Sequence, residues 1–318
     1  MKVNSTRVIT TNWEFGAGKQ GTAGGPKRLE ELIIQSPSLQ KYIGDNSSLA
    51  VNSDFQPAAN SAPTDFQPLK NASSLVQHVS ALCETIENTL LEGITPLVIS
   101  ADHSNAIGTV SGLSRTLGGE CMGVIWIDAH LDLHSPYTTP SGNAHGMSVN
   151  ALINDDNLAC AVKDRVLSPE ILENWEQLKA CKNNKPDNCI QPKHLVFIGT
   201  RSYEEQEWAL IEKHGILAIT PEEILKNGIQ WVVDQVNEHL KNCQYRYLSF
   251  DVDSLDPTIS EATGTPEANG LSLADAQILF SQFWNHPQTV CVEITEYNPT
   301  LPRPEAMEAA VISLINAI

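Results

Sequence analysis

Aspartate and histidine residues follow three short apolar runs of this 318-residue chain. Residues two apart on an extended chain point to the same side, so Asp128, His130 and Asp132 can share a face, as can Asp251 and Asp253. Carboxylate and imidazole groups grouped in this way are typical ligands of divalent metal ions. The polar residues are Asp102 and His103 after PLVIS, Asp128, His130 and Asp132 after GVIWI, and Asp251 and Asp253 after RYLSF.

A cluster of the carboxylates of Asp128, Asp132, Asp251 and Asp253 needs compensating positive charge, because packed carboxylates repel one another and are driven toward protonation. Two divalent cations would supply that charge and leave room for a bridging hydroxide. Oxygen and imidazole ligands without thiolate favour Mn²⁺, although Co²⁺, Fe²⁺, Zn²⁺ or Ni²⁺ could also bind. A two-metal site lowers the pKa of water, which suits hydrolysis.

Structural roles for these residues are the alternative. A single aspartate after a strand is often a helix cap or turn residue, and His103 alone could be a capping or buried structural histidine. DVDSLD also resembles the start of a calcium-binding loop, but Leu255 stands where that loop needs a ligand and Asp256 where it needs glycine. Three repetitions of one pattern therefore favour a shared metal site.

The rest of the chain predicts a fold that could bring these residues together. Short β-branched runs alternate with segments of helical period, which is typical of a parallel sheet covered by helices on both faces. Ligands bind beyond the carboxyl ends of the strands in such sheets, so the three clusters can meet in one cleft. Strands are predicted at Pro96–Ser100, Gly123–Ile127, His194–Ile198, Ile216–Ile219, Arg246–Phe250 and Thr289–Thr295. Helices are predicted at Ser74–Glu92, Ser104–Leu117, Ser202–His214, Leu271–Trp284 and Pro302–Ala317.

Two features near the N-terminus complete the predicted organisation. Pro26 is well placed in the first turn of a helix that runs toward Tyr42. Residues Gly44–Lys70 are rich in Asn, Ser, Pro and Gln without a clear period, so we expect a surface excursion rather than a linker. Because strands recur on both sides of it, residues 1–318 are predicted to form a single domain.

Charge and cysteine content restrict the class of protein. The formal net charge of -18 disfavours nucleic acid and anionic membranes and favours cationic ligands and metal ions. No apolar run is long enough for a signal peptide or a membrane helix, which predicts a cytoplasmic protein. Seven cysteines without a C-x-x-C pair indicate free thiols, with a disulfide between Cys181 and Cys189 as the alternative.

These motifs resemble those of the ureohydrolase family and, within it, of the arginases. The similar stretches are ADHSNAIGTVSG from Ala101, GVIWIDAHLDLHSPYTTPSGNAHGM from Gly123, LSFDVDSLDPTISEATGTPEANGLS from Leu248 and EYNP from Glu296, with weaker similarity in GPKRL from Gly25 and IGTR from Ile198. The resemblance implies a three-layer α-β-α fold with a parallel eight-strand sheet, two Mn²⁺ ions and a homotrimer or homohexamer.

The resemblance also implies a role for each matching residue. Asp128 and Asp251 would bridge the two ions, and Asp132 would also accept a hydrogen bond from the hydroxide. Glu296 matches the carboxylate that holds the guanidinium group, and His145 matches the histidine that protonates the leaving amine; the alternatives are a surface carboxylate and a loop histidine. The implied metal ligands are His103, Asp128, His130, Asp132, Asp251 and Asp253.

The far end of the substrate would be bound by residues that partly depart from the family pattern. Ser141 and Asn143 match the loop that binds the substrate carboxylate, and Thr265 matches a further substrate contact. His134 replaces a usual asparagine, and Glu204 replaces the aspartate that reaches the α-amino group. A third departure puts Ser100 and Ala101 where the family usually has two glycines, which could alter metal affinity.

The sequence therefore predicts hydrolysis of L-arginine, a small cationic guanidino substrate, to L-ornithine and urea through the metal-bridging hydroxide. Agmatine, a guanidino acid or formiminoglutamate is the alternative substrate. An inactive metal-binding relative is the alternative from another class of protein.

Overall fold

One parallel sheet of eight strands organises the part of the chain that the structure describes. The computed structural model describes residues 6–43, 48–55, 66–180 and 190–318. The strand order is β2-β1-β3-β8-β7-β4-β5-β6, and all neighbours run parallel. The strands are β1 Thr6–Thr11, β2 Leu49–Val51, β3 Thr95–Ser100, β4 Met122–Ile127, β5 Leu195–Ile198, β6 Leu217–Ile219, β7 Tyr245–Asp251 and β8 Thr289–Thr295.

Helices cover both faces of this sheet, as alternation along the strands requires. Ile125 and Ile127 of β4 face one buried apolar cluster, whereas Val124 and Trp126 face another. Residues of α1, α9, α10 and α11 complete the first cluster, and residues of α3, α4, α5 and α7 complete the second. The helices are α1 Gly25–Ile33, α2 Pro37–Gln40, α3 Ala72–Leu91, α4 Ala106–Leu117, α5 Ser148–Ile153, α6 Pro169–Ala180, α7 Glu205–His214, α8 Pro221–Asn227, α9 Ile229–His239, α10 Leu273–Trp284 and α11 Pro304–Asn316. The predicted three-layer fold with a parallel eight-strand sheet is confirmed.

The six predicted strands are present, with ends that differ by at most one residue at the amino side and one at the carboxyl side. Strands β1 and β2 and helices α5, α6, α8 and α9 were not predicted. The predicted helix from Pro26 to Tyr42 is wrong in its length, because α1 ends at Ile33 and α2 begins at Pro37. Ser36, directly before that proline, is extended, as the proline ring favours.

The predicted excursion at Gly44–Lys70 is wrong at Leu49–Val51, which pair with β1 at the edge of the sheet. Three residues are too few to show a period in sequence. Residues 44–47 and 56–65 of this segment lie outside the described residues, as do Cys181 and Cys189.

The other five cysteines are free thiols, as predicted. A single domain stays a prediction. No helix in the described ranges has the length and apolarity needed to cross a bilayer.

A buried polar group ties the end of β1 to the helices beside the strand ends. His78 of α3 is 5% exposed, and its Nε2 lies 2.7 Å from Thr11 Oγ1 and 3.0 Å from Asn105 Oδ1. Asn105 Nδ2 in turn donates to the backbone oxygens of Trp13 and Asp102. Burial lowers the pKa of His78 to about 4, so this histidine is neutral in the folded protein near neutral pH.

His78 predicts a component of acid destabilisation. Its folded pKa lies below the unfolded value, so its contribution is fully present above about pH 6.5 and is lost as the pH falls toward 4. The loss should reach about 3 kcal/mol in the free energy of unfolding. Urea unfolding of the metal-free protein from pH 7 to 4 should show a steeper decline for wild type than for His78→Gln, which keeps an amide donor. Parallel pH profiles of the two proteins would contradict this role.

Candidate metal centre and substrate cleft

Four adjacent strands bring the predicted chemical residues to one edge of the sheet. In the order β3-β8-β7-β4, the carboxyl ends lead to His103, Glu296, Asp251 and Asp128 respectively. Parallel strands place all these ends at the same edge. The three sequence clusters therefore meet where the carboxyl ends of the strands lie side by side. Glu296, the residue that follows β8, joins them there.

A first group of potential ligands surrounds the Nδ1 atom of His103. This atom lies 3.0 Å from Asp128 Oδ2, 3.2 Å from Asp132 Oδ2 and 3.2 Å from Asp251 Oδ2. It is buried and has no hydrogen-bond partner among the described residues. Neighbouring ligands of an ion with bonds of about 2.1 Å lie about 3 Å apart, so this spacing fits a divalent ion shared by these atoms.

A second group forms around His130. Its Nδ1 lies 3.1 Å from Asp253 Oδ2 and 3.4 Å from Asp128 Oδ1. Asp128 thus offers one carboxylate oxygen to each group, which is the arrangement of a bridging ligand. The structure brings all six predicted ligands together, and their oxygen and nitrogen atoms fit two divalent ions.

The electrostatics of the cluster favour cations. Burial, and after it the charge of Asp128, raises the pKa of Asp132 to about 6. Burial and the charges of Asp253 and Asp128 raise the pKa of Asp251 well above its ordinary value. Divalent ions would stabilise the ionised carboxylates that such crowding disfavours.

Two residues that sequence reasoning missed hold the ligands in place. Trp126 donates from Nε1 to Asp128 Oδ2 at 3.0 Å, and its ring stacks on His103 at a centroid distance of 3.9 Å. Ser249 Oγ lies 2.7 Å from His103 Nε2, which leaves Nδ1 directed at the carboxylates. Each precedes an aspartate by two residues on a strand, so the same alternation could have identified both.

Asp102, which shares the first sequence cluster with His103, organises a loop instead. Its buried carboxylate accepts hydrogen bonds from Gly16 N at 2.7 Å and Ala17 N at 3.1 Å, and also from the hydroxyl of Ser104. The carbonyl of Gly16 accepts a hydrogen bond from His145 N at 3.2 Å. Asp102 therefore fixes the loop that supports His145.

Ser100, which stands where the family usually has glycine, forms a hydrogen bond within the sheet. Its hydroxyl donates to Glu293 Oε1 at 2.6 Å, and Tyr247 Oη donates to Glu293 Oε2 at 2.9 Å. All three residues are buried on neighbouring strands. The side chain that replaces glycine thus has a hydrogen-bond partner, and so does the buried carboxylate beside it.

Glu296 and His145 form a buried ion pair beside the ligands. His145 Nδ1 lies 3.0 Å from Glu296 Oε1, which also accepts a hydrogen bond from His103 N at 2.9 Å. Burial lowers the pKa of His145, but the charge and hydrogen bond of Glu296 outweigh it and raise the pKa to about 9. In the metal-free protein His145 is therefore protonated at neutral pH. Glu296 is 1% exposed, so the alternative of a surface carboxylate is wrong.

Two further properties single out Glu296. Its Oε2 atom is buried without a hydrogen-bond partner among the described residues. Its backbone φ is +67°, in the left-handed region that non-glycine residues rarely adopt, and Asp132 has a φ of +52°. Strained backbone of this kind is concentrated at functional sites.

The two departures His134 and Glu204 contact each other. His134 Nε2 lies 2.9 Å from Glu204 Oε2 and 3.6 Å from Glu207 Oε2. Glu207 is buried, accepts a hydrogen bond from Leu133 N at 3.0 Å and was missed in the sequence. The signal for Glu207 is its place three residues after Glu204, the capping-box spacing at the start of α7.

Thr265 contacts a potential ligand directly, because its hydroxyl donates to Asp253 Oδ2 at 2.9 Å. Arg201 of the IGTR stretch holds the adjoining chain in place. Its guanidinium donates to the backbone oxygens of Asp253 and Glu267 at 2.8 Å each, and to that of Ala268 at 3.0 Å. Arg201 thereby fixes both the backbone of Asp253 and the segment that follows Thr265.

Ser141 and Asn143 lie on the loop that precedes His145. Ser141 Oγ accepts a hydrogen bond from Asn143 N at 3.2 Å. Asn143 Oδ1 accepts one from Lys70 Nζ at 2.8 Å. Both predicted carboxylate-binding residues therefore belong to one local structure, and Lys70 is a neighbour that sequence reasoning missed.

This fold and this pair of ligand groups define an α/β protein with a candidate binuclear metal centre. The family model "Arginase family" matches residues 4–318. The chain is 37% identical to the arginase of Coccidioides immitis over 310 residues, which cover 95% of this chain and 88% of that protein. It is 31% identical to Arginase-1 of Rattus norvegicus over 323 residues, which cover 98% and 90% respectively.

A solved structure shows the same architecture. The crystal structure of Entamoeba histolytica arginase in complex with L-ornithine superimposes with a TM-score of 0.85 at 25% identity, and the match covers 100% of this chain and 99% of the other. The chain belongs to the Arginase family. It is a hydrolase of linear amidine C–N bonds, and the substrates of this family are small guanidino compounds.

Separate roles for Asp128 and His145 predict separate defects. Asp128→Asn should release metal, because Asp128 offers an oxygen to both ligand groups. His145→Asn should keep the metal but lower kcat about 100-fold, because it removes a proton donor. Metal content after gel filtration and the rate of urea release distinguish the two, with Asp164→Asn on an exposed turn as the matched control. Equal loss of metal in both variants would contradict these assignments.

Proposed function

We propose that this protein hydrolyses L-arginine to L-ornithine and urea with two Mn²⁺ ions. The observation that carries the proposal is the free, buried Oε2 of Glu296 beside two groups of metal-binding side chains. A buried carboxylate with an unused acceptor favours a cationic partner that has several N–H donors. The guanidinium group of arginine has this chemistry.

The two ions would be held by His103, Asp128, His130, Asp132, Asp251 and Asp253, and the two carboxylate oxygens of Asp128 face different ligand groups. A donor set of carboxylates and imidazoles without sulfur supports Mn²⁺. When bound, the two ions lower the pKa of water so that hydroxide is available for attack at neutral pH.

Glu296 orients the guanidinium for attack at its central carbon. Oε2 accepts from one N–H group, and Oε1 can accept from a second in place of its bond to His145. Asp132 accepts a hydrogen bond from the attacking oxygen and so directs its lone pair toward the substrate carbon. Both carboxylates are held by residues with fixed left-handed backbone, which limits their movement.

His145 supplies the proton for the leaving amine. Before the guanidinium binds, Glu296 stabilises the imidazolium, so His145 is protonated at neutral pH. When Oε1 turns to the guanidinium, this stabilisation is lost and His145 releases its proton more readily. As the bond between the guanidinium carbon and the δ-nitrogen breaks, that nitrogen takes a proton from His145 and leaves as ornithine. The hydroxyl group of the remaining carbon fragment gives its proton to Asp132, and the fragment leaves as urea, whose oxygen comes from water.

The other end of arginine lies toward the loop at Ser141 and Asn143 and the pair of His134 and Glu204. Ser141 and Asn143 donate hydrogen bonds to the α-carboxylate. Glu204 contacts His134, and its side chain is half exposed, so its carboxylate can also accept a hydrogen bond from the α-ammonium group. Thr265 contributes through its hydrogen bond to Asp253. We also propose, from the sequence resemblance, a homotrimer or homohexamer in the cytoplasm.

A substrate panel tests the proposal. The Mn²⁺-loaded protein should release urea from L-arginine with a kcat/KM at least about tenfold above that for agmatine, because only arginine has the carboxylate. A coupled assay for urea, with enzyme lacking added metal as the control, measures both. Faster agmatine hydrolysis would overturn the substrate assignment, and background urea release after Mn²⁺ loading would favour an inactive relative.

A further inference from the structure

Lys70 lies against the loop that is proposed to bind the substrate carboxylate. Its backbone N donates to Gly142 O at 2.9 Å, and its Nζ donates to Asn143 Oδ1 at 2.8 Å. Lys70 is the last residue of the segment that the sequence predicted as a surface excursion. Its backbone and its side chain therefore both contact the carboxylate loop.

The contact between Lys70 and the carboxylate loop is held in place by residues of the loop and by the neighbours of Lys70. Gly142 has a φ of +74°, and a Cβ there would collide with the backbone oxygen of Gln67. Leu69 is 2% exposed and packs in an apolar cluster with Trp13. Asn71, the next residue, donates from Nδ2 to Phe15 O at 3.0 Å. Lys70 is therefore held between two anchored residues.

The ammonium group determines how the amide of Asn143 is turned. A lysine ammonium has only donors, so the atom it contacts must be the amide oxygen. The amide nitrogen of Asn143 then points away from Lys70 and is free to donate to an anion. Gly18 lies on that side, since a Cβ there would be 2.9 Å from Asn143 Nδ2.

The positive charge of Lys70 has a second effect, on the binding of the substrate carboxylate. The cleft contains the ligand carboxylates, and its far end contains Glu204 and Glu207. This acidic surrounding repels a substrate carboxylate, and a nearby ammonium offsets the repulsion. Asn143 is the residue before the short 3-10 helix Ala144–Met147 that contains His145, so the two residues lie close together in the cleft.

We propose that Lys70 is a specificity-determining residue that selects guanidino substrates with a free carboxylate. It orients the amide of Asn143 and supplies positive charge where the carboxylate binds. This inference rests on the proposed arginine hydrolysis and adds a residue from outside the sequence motifs.

The experiment compares three Lys70 variants in the Mn²⁺-loaded enzyme. Lys70→Met removes the donor and the charge, Lys70→Gln keeps an uncharged donor, and Lys70→Arg keeps both. Lys241→Met removes a charge from an exposed lysine that pairs with Glu238 before β7, at the opposite edge of the sheet. For each protein, kcat/KM for L-arginine and for agmatine and calorimetric binding of L-ornithine are measured.

We expect Lys70→Met to lower the ratio of arginine to agmatine kcat/KM by about 10- to 100-fold and to weaken L-ornithine binding by a similar factor. Lys70→Gln should lose most of the preference and Lys70→Arg should keep most of it. Lys241→Met should match wild type. Added salt should lower the arginine preference of wild type and Lys70→Arg more than that of Lys70→Gln.

The outcomes separate this inference from the proposed function. A wild-type enzyme that prefers agmatine contradicts the proposed function. A wild-type enzyme that prefers arginine, with the same substrate ratio in Lys70→Met, overturns the role of Lys70 alone. An equal loss on both substrates with a lowered Tm in all three variants also overturns it, because Lys70 would then only support the loop.

Discussion

Repulsion among buried carboxylates is the constraint on which the rest of this structure depends. The adjacent strands β4 and β7 end side by side, and the chain that follows them brings Asp128, Asp132, Asp251 and Asp253 into one buried space. Such a cluster is unfavourable unless cations share it. The same negative field that attracts metal ions also attracts a guanidinium group, so metal binding and substrate choice have one electrostatic origin.

The groups that position the ligands do so without forming ion pairs with the ligand carboxylates. Trp126 and Ser249 orient a carboxylate and an imidazole without adding charge, and Arg201 binds backbone oxygens rather than carboxylates. Because no positioning group forms an ion pair with a ligand carboxylate, these carboxylates keep their negative charge for the ions. The same contacts connect the ligand positions to strands β4, β5 and β7, and the two apolar clusters fix the packing of these strands.

The site was predictable where it follows local spacing. The alternation predicted that Asp128, His130 and Asp132 lie together, and they do, although the chain bends directly after β4 and Asp132 has a left-handed backbone. Strand β1 escaped prediction because TRVITT is mostly polar in sequence although every residue in it is buried. The contact of His134 with Glu204, 70 positions apart, depends on tertiary packing and has no local signal.

The left-handed backbone at Asp132 and Glu296 has a consequence for the history of such a protein. Each residue costs about 1–2 kcal/mol in that conformation, and glycine would remove the cost along with the carboxylate. Selection for thermal stability alone would therefore drive both positions toward glycine. The acidic side chains at these two positions therefore cost the fold stability that glycine would provide.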